Sequence, residues 1–159
     1  MRITLIAVGK IKEKYLTMGI AEFTKRLTPY CRLSTIEVDE ERMPENPSAG
    51  EKAKVLLKEG ERILKHVKED THLIILDVIG KQASSEELAE KINALGISGK
   101  SDITFIIGGA FGLSPELVKA ANERLSFSKM TFTHQMIRLL LVEQIYRAFK
   151  INRGEPYHL

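Results

Sequence analysis

Ile103-Thr104-Phe105-Ile106-Ile107 runs straight into Gly108-Gly109-Ala110-Phe111-Gly112 and then Leu113-Ser114-Pro115-Glu116. Five β-branched or aromatic residues in succession read as a strand buried on both faces. Glycines just beyond such a strand let the backbone turn tightly, or approach a ligand closely, because they reach positive φ at no steric cost. A serine cap with proline at the first helical position then opens a helix. The stretch is a strand, a glycine loop and a helix start, and that is the joint of a parallel α/β protein.

The same grammar repeats on either side. Ile3–Val8, Leu33–Val38 and Leu73–Val78 are short apolar runs that predict strands, and Leu125–Phe127 predicts a shorter one. Between them lie helical patterns. Lys12–Leu27 points Tyr15, Leu16, Ile20, Phe23 and Leu27 inward and stops before Pro29. Ser48-x-x-Glu51 and Ser84-x-x-Glu87 are capping boxes, which predict helices running to about Val67 and Leu95. His134–Asn152 is the longest helical pattern, with Gly154 placed to end it. Asp39–Pro47 carries two prolines and four acidic residues and reads as a loop, the segment freest to move. Strands alternating with helices predict a mostly parallel sheet with helices on both faces, within a single domain of 159 residues. Ligands of such sheets sit at the carbonyl ends of the strands. Three loops therefore become site candidates: those after Leu76, after Ile107 and after Leu125.

Composition fits a globular chain, with 43% hydrophobic and 28% charged residues. The lone cysteine, Cys31, has no internal disulfide partner, which points to a reducing compartment. No run approaches the length of a membrane helix and the amino terminus lacks a signal-peptide pattern, so the expectation is a cytoplasmic protein. Net charge is only +3, but it is uneven. The first thirty residues hold six basic against two acidic side chains, and residues 126–159 hold five against two. The middle is acidic. If the two ends meet in space they form a positive face that attracts phosphates; ordinary solvated lysines are the equal alternative.

Several familiar chemistries are excluded. Gly108–Gly112 has neither the dinucleotide spacing nor a Walker lysine, and Gly99-Lys100-Ser101 precedes a strand where a phosphate loop would follow one. The four histidines are scattered, without metal-ligand spacing, and no serine sits in a nucleophile elbow. Leu125-Ser126-Phe127-Ser128-Lys129-Met130-Thr131-Phe132 mixes hydroxyls with large apolar groups; it suits an adenosine-like ligand or, equally, an edge strand and turn. The His134 helix is apolar nearly all round at its start, which predicts partial burial against a second copy of the chain, with deep burial inside one chain as the other reading. Glu143 and Arg147 can pair along that helix, His134 and Arg138 share a face, and His134 can serve as a cap. Tyrosine, histidine and proline in Arg153–Leu159 predict a docked tail that presents Tyr157 and His158 to a pocket, with an ordered but inert tail as the other reading. On residues alone, a non-enzymatic ribosome- or nucleotide-binding module stays beside an enzyme, and a flavodoxin-like protein lacks its phosphate loop.

Five blocks taken together carry a resemblance. Ile107-Gly108-Gly109-x-x-Gly112-Leu113, Leu125–Phe132, His134-Gln135, Glu143-Gln144-Ile145-Tyr146-Arg147-Ala148-Phe149 and Pro156-Tyr157-His158, with Val8-Gly9-Lys10 at the start, closely resemble the bacterial 23S rRNA (pseudouridine-N3)-methyltransferases of the SPOUT class, the RlmH family. The resemblance spans the whole chain. Two departures stand out: Thr133 where the family commonly has proline, and Leu159 where it ends on a basic residue. The resemblance implies an α/β knot, a carboxyl-terminal trefoil, in homodimers that bind S-adenosyl-L-methionine. It assigns cofactor contacts to Leu76, Gly108, Phe127, Ser128, Lys129, Met130, Thr131 and Phe132. It implies methyl transfer to N3 of a pseudouridine in a stem-loop of 23S rRNA within the assembled ribosome, with no metal. His158 is then the candidate base, Arg147 the charge stabiliser and Tyr157 the orienting group, with the tail of one subunit completing the site of the other.

Overall fold

The computed structural model of residues 1–159 holds five strands and five helices: β1 Arg2–Val8, α1 Lys14–Leu27, β2 Arg32–Val38, α2 Ala49–Leu64, β3 His72–Gln82, α3 Ser85–Ile97, β4 Asp102–Ile107, α4 Pro115–Ala120, β5 Glu123–Ser126 and α5 His134–Asn152. Every strand pairing is parallel, in the order β2-β1-β4-β3-β5. Alternation along β1 shows how the sheet is covered. Ile3, Leu5 and Ala7 face a core shared with α1, α3 and α5, whereas Ile6 and Val8 face a smaller core under α2 and α4. Both capping boxes form, at Ser48 and at Ser84.

Several boundaries differ from the sequence expectation, each for a local reason. The first helix starts at Lys14, not Lys12, because the Ile11 and Lys12 amides are taken by the side chains of Glu37 and Gln135. Tyr15 does not point inward. It is 61% exposed, because the buried stripe of α1 runs through Leu16, Ile20, Phe23 and Leu27, and Tyr15 lies one residue off it. α2 stops at Leu64 instead of Val67, its end tightened by His66 and Val67 amides that reach back three residues. α3 runs on to Ile97, and β5 starts two residues early, where Glu123 pairs with Ile74. The acidic segment after β2 has no regular structure, but its first residues are tied to α2. The Arg62 guanidinium donates to the Asp39 carbonyl at 3.0 Å and pairs with Glu41, and the Glu41 amide donates to Glu59 at 3.0 Å.

α5 lies against α1 and α3, and no residue from His134 to Ile151 is fully exposed. Deep burial within one chain is therefore the outcome for most of its apolar surface, with Met136, Leu139 and Leu140 half-buried. Arg138, placed by the sequence beside His134 on a helix face, is 1% exposed. Its guanidinium donates to Glu37 at 2.7 Å, to the Val8 carbonyl at 2.8 Å and to the Gly9 carbonyl at 2.7 Å. The ends of the chain meet at this point, since Lys12 and Gln135 share a hydrogen bond of 3.2 Å.

Two predictions follow from this packing. Replacing Arg138 by methionine leaves the Val8 and Gly9 carbonyls without their donor, while the exposed Glu37 carboxylate turns to solvent, and should lower unfolding free energy in urea by about 2 kcal/mol. Cys31 is buried, and that burial pushes its thiol up to about 11; Ellman's reagent at mildly alkaline pH should label it only after denaturation.

Candidate active site

The carbonyl ends of β3, β4 and β5 converge on one cleft of about 420 Å³. Its first wall exists because β3 is interrupted. Leu76 and Lys81 both pair with Leu125, so residues 77–80 bow out of the ladder. Gly80 is needed there, since a Cβ would lie 2.8 Å from the Arg124 backbone. The bow is braced by Asp77, whose carboxylate accepts from Arg124 at 2.6 Å and from the Ile79 amide at 3.2 Å. The second wall is the glycine loop after β4. A Cβ on Gly108 would fall 2.4 Å from the Gly112 carbonyl oxygen, so the loop closes only around glycine.

The third wall follows β5, which is an edge strand as well as a lead into the cleft. Ser126 donates to the Ser128 carbonyl at 3.0 Å, and the Ser128 hydroxyl accepts from the Met130 amide at 3.0 Å. Together they curl the segment back toward α5. Thr133, not His134, caps that helix by accepting from the Met136 amide at 3.1 Å. Threonine at this position thus supplies a cap, and His134 is left to line the cleft.

Leu76, Gly108, Phe127, Ser128, Met130, Thr131 and Phe132 all line this one cleft; Lys129 does not. Asp77, Val78, Ala110, His134 and Ile137 also line it, none of them among the expected cofactor contacts. Asp77 directly follows Leu76 at a strand's carbonyl end, so the positional rule could have included it. The lining is mainly apolar, with hydroxyls from Ser126, Ser128, Thr131 and Thr133, and only Asp77 and His134 titrate. No three His, Cys, Asp or Glu side chains converge as a metal site would require.

Arg147, Tyr157 and His158 come together as well, but apart from the cleft wall. The organising group is Glu143, one turn before Arg147. Its Oε1 accepts from Arg147 Nε at 3.1 Å, from Arg147 Nη2 at 2.6 Å and from the Tyr157 hydroxyl at 2.9 Å. The guanidinium also sits 4.8 Å from the Tyr157 ring centroid. Burial, and then the bond to Glu143, push the Tyr157 phenol above its ordinary range, so it stays protonated. His158 Nδ1 lies 3.1 Å from Arg147 Nη1 and its Nε2 lies 2.7 Å from Glu86. A guanidinium can only donate, so Nδ1 accepts and the ring proton sits on Nε2, donated to Glu86. The tail is docked, though away from the cleft of its own chain, and the Glu143–Arg147 pair is the hub of a network.

This arrangement defines an α/β protein whose cleft is built from carbonyl-end loops, and solved structures share the fold. The chain superposes on a probable methyltransferase from Bordetella pertussis with a TM-score of 0.54 at 11% identity, over 92% of this chain and 95% of that one. A probable methylase family protein from Haemophilus influenzae gives 0.51 at 18% identity, over 99% and 70%. Residues 1–158 match the family described as "Predicted SPOUT methyltransferase", and the chain belongs to that family of methyltransferases. Proteins called ribosomal RNA large subunit methyltransferase H are similar at full length: 58% identical in Carboxydothermus hydrogenoformans and 56% in Clostridium novyi, each over 99% of both chains. The expectation of an enzyme holds, and the non-enzymatic module is set aside.

Glu143→Ala removes the acceptor shared by Arg147 and Tyr157. It should free residues 153–159 to rapid trimming by carboxypeptidase and cost about 2 kcal/mol in urea unfolding, roughly two lost charged hydrogen bonds.

Proposed function

We propose that residues 1–159 act as one domain that transfers a methyl group from S-adenosyl-L-methionine to N3 of a pseudouridine in a stem-loop of 23S rRNA, in the cytoplasm and on assembled ribosomes. The observation that carries this is the meeting of Leu76, Gly108 and Met130 in one cleft. Relatives named for methylation of large-subunit ribosomal RNA, more than half identical along the chain, give the substrate class. The cleft fits the cofactor. A glycine cradle that a Cβ would fill, apolar walls for an adenine and hydroxyls for a ribose are the groups such a molecule asks for. Leu76, Gly108 and Phe127–Phe132 hold it, with Lys129 at the rim. Family membership supports the trefoil knot around this segment.

When bound, S-adenosyl-L-methionine supplies a sulfonium methyl that passes to N3 as N3 gives up its proton, leaving a neutral thioether. The chain's own residues handle the acceptor. His158 Nδ1, which accepts from Arg147 here, takes the imide proton once that bond is exchanged for one to the substrate. Arg147 beside it, held charged by Glu143, stabilises the negative charge left on the ring. Tyr157 keeps its proton and orients the base.

The protein works as a homodimer in which the tail of one subunit serves the cleft of the other. Two observations support this. The tail cluster lies off its own cleft wall. The cleft mouth also exposes Met130 at 75% and Ile79 at 77%, apolar surface that a second copy covers.

Calorimetry should detect S-adenosyl-L-methionine binding, and ribosomes from cells lacking the gene should gain one methyl per large subunit when incubated with enzyme and cofactor. Absence of both would reject the reading. Mixing inactive Gly108→Val and His158→Ala subunits should restore about a quarter of wild-type activity, because only heterodimers carry an intact site, one of their two. No recovery would place both halves of the site in one chain.

A further inference from the structure

A second cavity of about 220 Å³ opens beside the cleft, sharing Leu125, Phe127 and Phe132 with it. Its far side includes Leu140 and three polar residues: Ser84, whose hydroxyl is used in capping α3, Ser85 from the first turn of α3, and Gln144 from α5. We infer that this chamber is the acceptor-base pocket, and that Ser85 and Gln144 read the pyrimidine ring that enters it. The inference rests on the methyltransferase reading above and names where in the site the acceptor sits.

Three properties of the chamber lead there. First, it adjoins the cleft through two phenylalanines. A ring nitrogen can meet a methyl donor only if its base has left the helical stack, and an extruded base replaces lost stacking with aromatic walls. Second, its polar groups are held and incompletely used. Ser85 donates its hydroxyl proton to Gln144 Oε1 at 2.7 Å, and Gln144 Nε2 donates to Glu143 at 2.9 Å. What remains is the acceptor capacity of the serine oxygen, one lone pair on the amide oxygen and the second hydrogen of the amide, so the wall can offer an acceptor next to a donor. Third, Gln144 is held by the same Glu143 carboxylate that fixes Arg147 and Tyr157, so the chamber wall is rigid.

An acceptor beside a donor is the complement of one particular edge. Pseudouridine, attached to its ribose through carbon, carries a free N1–H next to the C2 carbonyl, whereas uridine has no hydrogen at N1. The serine lone pair takes N1–H and the amide hydrogen meets the C2 oxygen. That pairing leaves N3, the next ring atom, free of the wall and open to the cleft. A site built to pair a substrate N–H rejects the analogue that lacks it far more strongly than an apolar wall can.

The test uses full-length enzyme and two preparations of large ribosomal subunits, one with pseudouridine and one with uridine at the target position. Ser85→Ala removes the acceptor for N1–H, and Ser85→Phe fills the chamber. Both variants should bind S-adenosyl-L-methionine as the wild type does in calorimetry. Ser85→Ala should lose about tenfold in kcat/KM on the pseudouridine subunits and change little on the uridine subunits, which have a C–H in place of N1–H, the scale of one matched hydrogen bond. Ser85→Phe should lose transfer to both. Equal losses on the two substrates for Ser85→Ala, or weakened cofactor binding in the variants, would overturn the assignment and return the chamber to the cofactor site. Should Ser85→Phe fail to fold, Ser85→Ala decides alone. A wild type that binds no S-adenosyl-L-methionine would reject the methyltransferase reading instead.

Discussion

A guanidinium buried to 1% exposure has to be met by acceptors on every side, and Arg138 takes them from three places at once. Two are backbone carbonyls at the exit of β1 and the third is a carboxylate on β2. Those carbonyls belong to the edge of the sheet where the strands stop, so they lack ladder partners and need a donor. Removing the charge from water costs several kcal/mol, recovered only if each contact is short and held. One donor of Arg138, its Nε, has no partner at all. Such a group tolerates a single placement of α5. It fixes the helix's amino end under the carbonyl edge of the sheet, and His134 and Ile137 enter the cleft from that same turn.

α5 therefore has three duties along its length. The first turns wall the cleft and carry Arg138. The middle turns, through Leu141, Val142, Ile145 and Tyr146, fill the larger core. The last turns hold the hub at Glu143 and Arg147 and receive the tail. A helix with core on most sides reads in sequence as apolar nearly all round. In this chain the pattern reflects close cover by α1 and α3: a Cβ on Gly19 would come within 2.9 Å of Leu139. The surplus apolar surface lies elsewhere, on the bowed-out part of β3 and on the segment after β5.

What could be read in advance divides along physical lines. β-branched runs such as Ile103–Ile107 are legible because a doubly covered strand has no polar face to disguise it. Capping boxes at Ser48 and Ser84 are legible because the cap chemistry is local. The rule that parallel sheets bind at carbonyl ends marked the loops after Leu76, Ile107 and Leu125 without any side-chain geometry, and the family resemblance named Leu76, Gly108 and Phe127–Phe132 within them. Lys129 shows where that rule stops, since position along a segment does not fix which way a side chain turns. Arg138 was not legible, because a basic residue on a helix is ordinarily solvated and its acceptors lie some 130 residues away in sequence. The bow in β3 escaped notice for the same reason: Gly80 has meaning only against the Arg124 backbone, a contact set by sheet order.

Charge and cleft keep to separate parts of the molecule. Titratable groups in the cleft amount to Asp77, already paired with Arg124, and His134. A cavity with so little net charge is suited to an adenosine-bearing ligand held by shape, apolar contact and backbone. The basic excess instead belongs to the two ends of the chain, which the packing of α1 on α5 brings together. Much of it is engaged there: Arg26 lies over Phe23 and Tyr146, Lys150 pairs with Glu155, and Arg153 stacks on Tyr30. Lys10, Lys12 and Lys14 are exposed at the same end. A net charge of only +3 gives little overall pull on arbitrary RNA. On the function proposed above, selectivity then comes from fitting a structured ribosomal surface and one extruded base, because electrostatic attraction alone would hold any RNA too loosely to align N3 with the cleft.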